Sequence, residues 1–212
     1  MPLLKGGLVL VDFDTAAVKQ VIPLQYNPES LTRSLQVQGV GAESGVHVDQ
    51  MRLKGPPIET IKLEIVIDAT DRMEHPDQDP TVSASGIQPQ LSALEMTLYP
   101  SSAQLLAADA NTRNGTLEIV PMDSPLMLFV WSKERVVPVR ITEFSITEEA
   151  FDSALNPIRA KVSLGMRVLS VDDLGFSTKG GGLYLSYQQR KESLAAKATG
   201  GALSALGLTS LT

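Results

Sequence analysis

The chain has 212 residues, 43% of them hydrophobic, which suffices for one sizeable core plus an extension. Its 24 acidic and 18 basic residues give a formal charge of −6, with no run of Lys and Arg longer than two, so a phosphate-binding groove for nucleic acid is not expected. The absence of cysteine excludes a disulfide framework, a thiolate nucleophile and Cys-ligated metals, and suits production and assembly in the cytoplasm.

No 18 apolar residues run consecutively, and the Leu8 to Val11 run breaks at Asp12 without a basic lead, so neither a membrane-inserted helix nor a secretory signal is expected. Leu8 to Phe13 and Val18 to Tyr26 read as strands joined by a turn at Asp14-Thr15-Ala16, and a third strand runs from Leu31 to Gln38. Between the second and third lies the corner Tyr26-Asn27-Pro28-Glu29-Ser30-Leu31. Asn27 can bond its own backbone two residues on, and Pro28 fixes its φ at about −65° while pushing Asn27 into an extended conformation. Beyond the corner, Leu31, Leu35 and Val37 share a strand face with Arg33, opposite Thr32, Ser34, Gln36 and Gln38. Residues 39–58 hold enough Gly and Pro to form a long loop or an extended hairpin tip. From Glu59 to Asp68, Ile61, Leu63, Ile65 and Ile67 lie on one face against Lys62, Glu64 and Asp68 on the other, a half-buried strand.

Residues 68–90 turn polar and proline-rich, after which Leu91, Leu94 and Leu98 recur at helical spacing between Pro89 and Pro100. A second short helical stretch runs from Ser102 to Ala110. Strands resume at Gly115 to Val120, Leu126 to Trp131 and Val136 to Thr147. In the last, the apolar parity changes between Ile141 and Phe144, which predicts a bulge or a strong bend. A long final strand alternates Ile158, Ala160, Val162, Leu164, Met166 and Val168 with a basic face of Arg159, Lys161 and Arg167. Gly180-Gly-Gly182 reads as a hinge before a helix-capable segment, whose Leu183, Tyr187, Arg190 and Leu194 fall near one face. That face either packs on the chain's own body or docks on another protein. The pattern predicts a mainly β fold, an antiparallel barrel or sandwich with one flanking helix over residues 1–176, and a Gly-rich hinge with a C-terminal helical tail over 177–212.

Chemistry finds little footing. The carboxylates and His75 between Asp68 and Asp79 lack the pivot Gly and terminal Glu of a calcium loop, and His47 stands alone among glycines, so no metal site is expected. Two histidines and no Gly-x-Ser-x-Gly elbow leave no hydrolytic triad, and the triglycine lacks phosphate-loop spacing; neither an enzyme nor a cofactor is expected.

Two patches carry a resemblance. A hydrophobic strand followed by Gln25-Tyr-Asn-Pro-Glu-Ser-Leu-Thr-Arg33, and later Glu149-Ala-Phe-Asp152 leading into Leu155-Asn-Pro-Ile-Arg-Ala160 and a final strand, are similar to hallmarks of the contractile injection system tube proteins. These are tube-adaptor or tube-initiator subunits in the baseplates of phage-tail-like particles. The resemblance spans roughly residues 1 to 190. It implies two sheets closing into a small barrel, edges covered by neighbouring subunits, and a ring of six copies joining the spike and hub to the inner tube in a particle that is released or docked at a membrane. It also implies subunit contacts through Tyr26, Asn27, Pro28, Glu29 and Leu31 at a ring face, and through Phe151, Leu155, Asn156 and Pro157 at the loop before the last strand. Gly200 to Thr212 is shorter than the LysM-like module that many members append, so nothing that module does is carried over. The rival reading from the residues alone is a soluble β-barrel binding a small ligand, with residues 39–58 as a lid.

Overall fold

The computed structural model describes residues 3–39, 52–73, 80–113 and 124–211. Among them, one antiparallel sheet runs in the order β2 (Val18–Pro23), β1 (Gly7–Val11), β5 (Leu126–Ser132), β6 (Arg135–Phe151), β7 (Pro157–Val168), β4 (Ile58–Asp68), β3 (Leu31–Gln36). The first hairpin turns because the Asp12 carboxylate accepts from the backbone N–H groups of Asp14 and Thr15 and from the Thr15 hydroxyl, while Ala16 takes a left-handed φ of 59°. The strand expected at Gly115 to Val120 lies outside the described residues, as do most of the proposed lid, His47 and His75.

Strand β6 belongs to two half-sheets. Val136 to Val139 pair with β5, and from Val139 onward its other edge pairs with β7. The register slips between Ile141 and Glu143, where the apolar parity of the sequence changes. A bulge of this kind lets one strand bend from one layer into the next. Between the half-sheets, Ile61, Val137, Val162 and Met166 are fully enclosed, with Phe129 and Leu8 beside them.

The mainly β, sandwich-like architecture matches the sequence pattern, but the sheet does not close into a barrel. β2 and β3, consecutive in the chain, are its two edges and share no ladder hydrogen bonds. Pro23 ends β2 without a donor, and β3 pairs with β4 only as far as Leu63. In place of a closing rung, the Gln25 side chain donates to the Asp68 carbonyl (2.6 Å) and accepts from the Asp68 N–H (3.0 Å), copying a strand partner with its own amide.

Helices α1 (Thr70–Met73), α2 (Pro80–Ser85) and α3 (Gln88–Glu95) follow β4, with Ile87, Leu91 and Leu94 buried in the main core. Helix α4 (Ser102–Arg113) buries none of its residues. After β7 come α5 (Val171–Leu174) and α6 (Lys179–Ala195), then a 3-10 turn at Leu203–Leu206. The three glycines form the first turn of α6, not a hinge before it. Thr178 caps the helix by accepting from the Gly181 N–H at 3.0 Å, and a Cβ on Gly181 would sit 2.0 Å from the Gly175 carbonyl oxygen. Gly181 is required by close approach, whereas a Cβ on Gly182 would meet open space; the density of glycine resembles a linker only by composition.

Candidate assembly surface

The corner between β2 and β3 is held by its own side chains, which bond backbone groups ahead of β1 and at the end of β4. Asn27 does not bond its own backbone; its Oδ1 accepts from the Gly6 N–H (2.9 Å) and its Nδ2 donates to the Leu4 carbonyl (2.8 Å). With Gln25 on Asp68, the corner is tied at two points to segments 21 and 43 residues away. Held so, it turns Tyr26, about half exposed, and Glu29 outward. Leu31 instead packs against the core, so of the residues singled out in this corner it is the one with an internal packing role.

The β6–β7 turn is built by one carboxylate. Asp152 accepts from the backbone N–H groups of Ala154 and Asn156 (both 2.8 Å) and from the Asn156 side-chain amide (2.9 Å). Those bonds, the Asn156 amide first, hold its carboxyl below the usual range. Asn156 also donates to the Ala84 carbonyl at 3.3 Å, and Pro157 is buried with its carbonyl accepting from the Ile87 N–H. The consequence is a rigid tip in which Leu155 adopts φ 65° with its side chain 79% exposed. A leucine there costs about 1–2 kcal/mol of backbone strain and gains no burial in return within its own chain. Phe151 beside it is half exposed.

The two patches meet through a line of charges on the outer face of the sheet. Asp68, whose backbone holds Gln25, lies 3.2 Å from the Arg159 guanidinium; Arg159 also approaches Glu149, which pairs with Lys161 at 2.7 Å. Corner residues Tyr26 to Ser30 and Arg159 line one shallow depression together with Glu64 and Val66. Two bonds from Thr70 and the nearby Arg159 keep the Asp68 carboxyl ionised below its ordinary range, and the Lys161 ammonium is raised by Glu149. Further along, Lys62 on β4 reaches Glu143 on β6 at 2.7 Å, spanning β7 where Gly165 stands. A Cβ at Gly165 would come within 2.9 Å of the Glu143 Cβ. Of the basic face expected for the last strand, Arg159 and Lys161 are matched by acids from the neighbouring strands, and Arg167 by Asp173 of α5 at 2.8 Å.

The residues of the expected docking arm are placed differently. Tyr187 is buried and donates to Glu59 Oε1 (3.0 Å); Arg33 donates to the same oxygen, and Lys191 donates to Oε2 at 2.9 Å while lying over the Tyr187 ring. Burial works against the Glu59 charge, but Lys191 and Arg33 outweigh it and hold the carboxyl below its usual range. Burial and the Glu59 charge push the Tyr187 phenol well up. Arg190 donates to the Lys133 carbonyl, Leu183 packs against Val11, Leu126, Leu128 and Leu169, and Leu194 stays half exposed. Sequence reading missed Glu59, although its position two before Ile61 puts it on the apolar face. It also missed Gln25 and Asp152, whose partners are set by tertiary contact or by a turn that closes four residues later.

A family model described as contractile injection system tube protein matches residues 11–173, a span that contains both the corner and the β6–β7 tip. No curated protein matches the chain.

Proposed function

Because the chain belongs to the contractile injection system tube protein family, we propose that it forms a ring, six copies around, that joins the spike and hub of the baseplate to the inner tube and templates tube growth. Membership gives a structural role in such a particle, among its other subunits. The observation that carries the ring is the pair of edges: β2 and β3 have no strand partner on their outer sides among the described residues, and one short corner brings them together. A neighbour's β3 laid along β2, repeated around an axis, continues the sheet and leaves no edge once the ring closes. The corner, with Tyr26, Pro28 and Glu29, and the tip, with Phe151 and Leu155, then form the face on which the next ring stacks. The paired charges of the outer strip supply a polar wall for passing cargo. Binding and placement, rather than bond-making, are the whole of the mechanism.

The test is the mass of the purified chain, alone and with its tube and hub subunits, together with negative-stain images. Six-copy rings are expected. A monomer in every mixture would overturn the ring. The variant Tyr26→Ala with Leu155→Ser is expected to keep the fold and the ring but lose stacking on tube subunits. Small-ligand binding, the second reading, is favoured by a groove of about 570 Å³ between β2 and α3, whereas the space between the half-sheets is filled by side chains.

A further inference from the structure

That groove has an apolar lining from Val21, Pro23, Ile65, Ile67, Ala93 and Leu94. Among the described residues its charged rim, Lys5 and Arg72 against Asp68 and Asp71, is balanced. At the other extreme of the chain, residues 198–211 hold no charged side chain. Their four leucines, Leu203, Leu206, Leu208 and Leu211, are 40%, 75%, 44% and 80% exposed, although a 3-10 turn ended by left-handed Gly207 fixes the first two. An ordered apolar turn in water is costly unless something covers it, and a net-neutral apolar groove suits an uncharged segment. Each chain supplies one such tail and one such groove, a ratio met without remainder when neighbouring copies exchange them around a closed ring.

We infer that residues Leu203 to Leu211 of one copy dock in the groove between β2 and α3 of a neighbouring copy. The inference rests on the ring reading for the presence of that neighbour. It binds through side chains and leaves the main-chain edge of β2 to strand pairing. The leucines would fill the apolar floor, and the helix α6 from which the tail departs stays locked on its own chain by Glu59.

The chain contains no cysteine, so single introduced thiols report contacts cleanly. Full-length chain carrying Leu208→Cys is mixed with full-length chain carrying Ala93→Cys, oxidised, and read by mass. A disulfide-linked pair is expected, at least tenfold more abundant than when the second chain carries Ser145→Cys on the outer strip, and Leu206→Asp in the tail-bearing chain should abolish it. Equal yields with Ser145→Cys overturn the inference. So does a chain bearing both Leu208→Cys and Ala93→Cys that closes on itself at single-chain mass, which would make the groove a seat for its own tail. The mass of the unaltered chain separates this result from the ring: rings without the cross-link sink the tail assignment alone, a cross-link without six-copy rings sinks the ring size alone, and neither means both are wrong.

Discussion

The two half-sheets bury their strands in different ways. In β1 and in the first four residues of β5 both faces are buried, Leu8, Leu10, Met127 and Phe129 toward the main core and Val11, Leu126 and Leu128 toward a second cluster that includes Leu169, with Leu174 and Leu183 packed against it. In β4, and in β7 apart from Pro157 and Gly165, only alternate residues are buried, and the other face carries the ion-pair strip. The difference comes from the path of the chain after β7, which returns over the outside of β1 and β5 and leaves the outside of β4 and β7 open. A strand covered twice reads as a continuous apolar run, and a strand covered once reads as an alternation. An open face that carries many charges and pairs most of them is suited to meeting water, not to a second core.

Substitutions can test that contrast. Phe129→Ala in the doubly covered half should cost about 3–5 kcal/mol of stability, read as a shift in denaturation midpoint at unchanged slope, because its ring is enclosed and no neighbour can collapse into the space. Glu59→Gln, at the singly covered half where α6 lies over it, should cost about 2–3 kcal/mol by weakening its bonds to Arg33 and Lys191. The carboxyl is held low in the folded chain, so its contribution is whole above the unfolded value, about 4.3, and is lost as pH falls through the lower folded one. The glutamine variant should lack that part of the acid slope. Gly165→Ala on the open face should cost about 1 kcal/mol through collision with Glu143. In a Glu143→Ala background the penalty should disappear, and if it persists the glycine serves the strand rather than the bridge above it. The smallest change is expected for Leu155→Gly: relief of left-handed strain is offset by added freedom in the unfolded chain, for a net within about 1 kcal/mol. Tube assembly should nevertheless fall, and a variant that assembles normally would remove Leu155 from the contact.

Much of this was legible from pattern. The described strands and the break in β6 follow from parity, and helices are expected around Leu91 to Leu98 and over Ser102 to Ala110, where the fold has them at Gln88–Glu95 and Ser102–Arg113, because burial of one face writes its period into the sequence. Strand order was not legible: that consecutive β2 and β3 are opposite edges depends on which strands meet, and parity carries no such information. The same holds for Glu59, whose face was readable but whose partners at 33, 187 and 191 are gathered only by the fold. Asn27 was read as a local turn-maker because its backbone offers that option, and the N-terminal segment offered a better one.

The seam between β2 and β4 also has a mechanical meaning. A sheet closed by ladder bonds resists widening by shearing many of them together, whereas this one is a split washer, continuous through β6 and joined across the gap, among the described residues, by side-chain packing and the hydrogen bonds of one glutamine amide. Load that spreads the two halves falls first on those two hydrogen bonds. They can part and re-form without unfolding a strand, because neither belongs to a ladder.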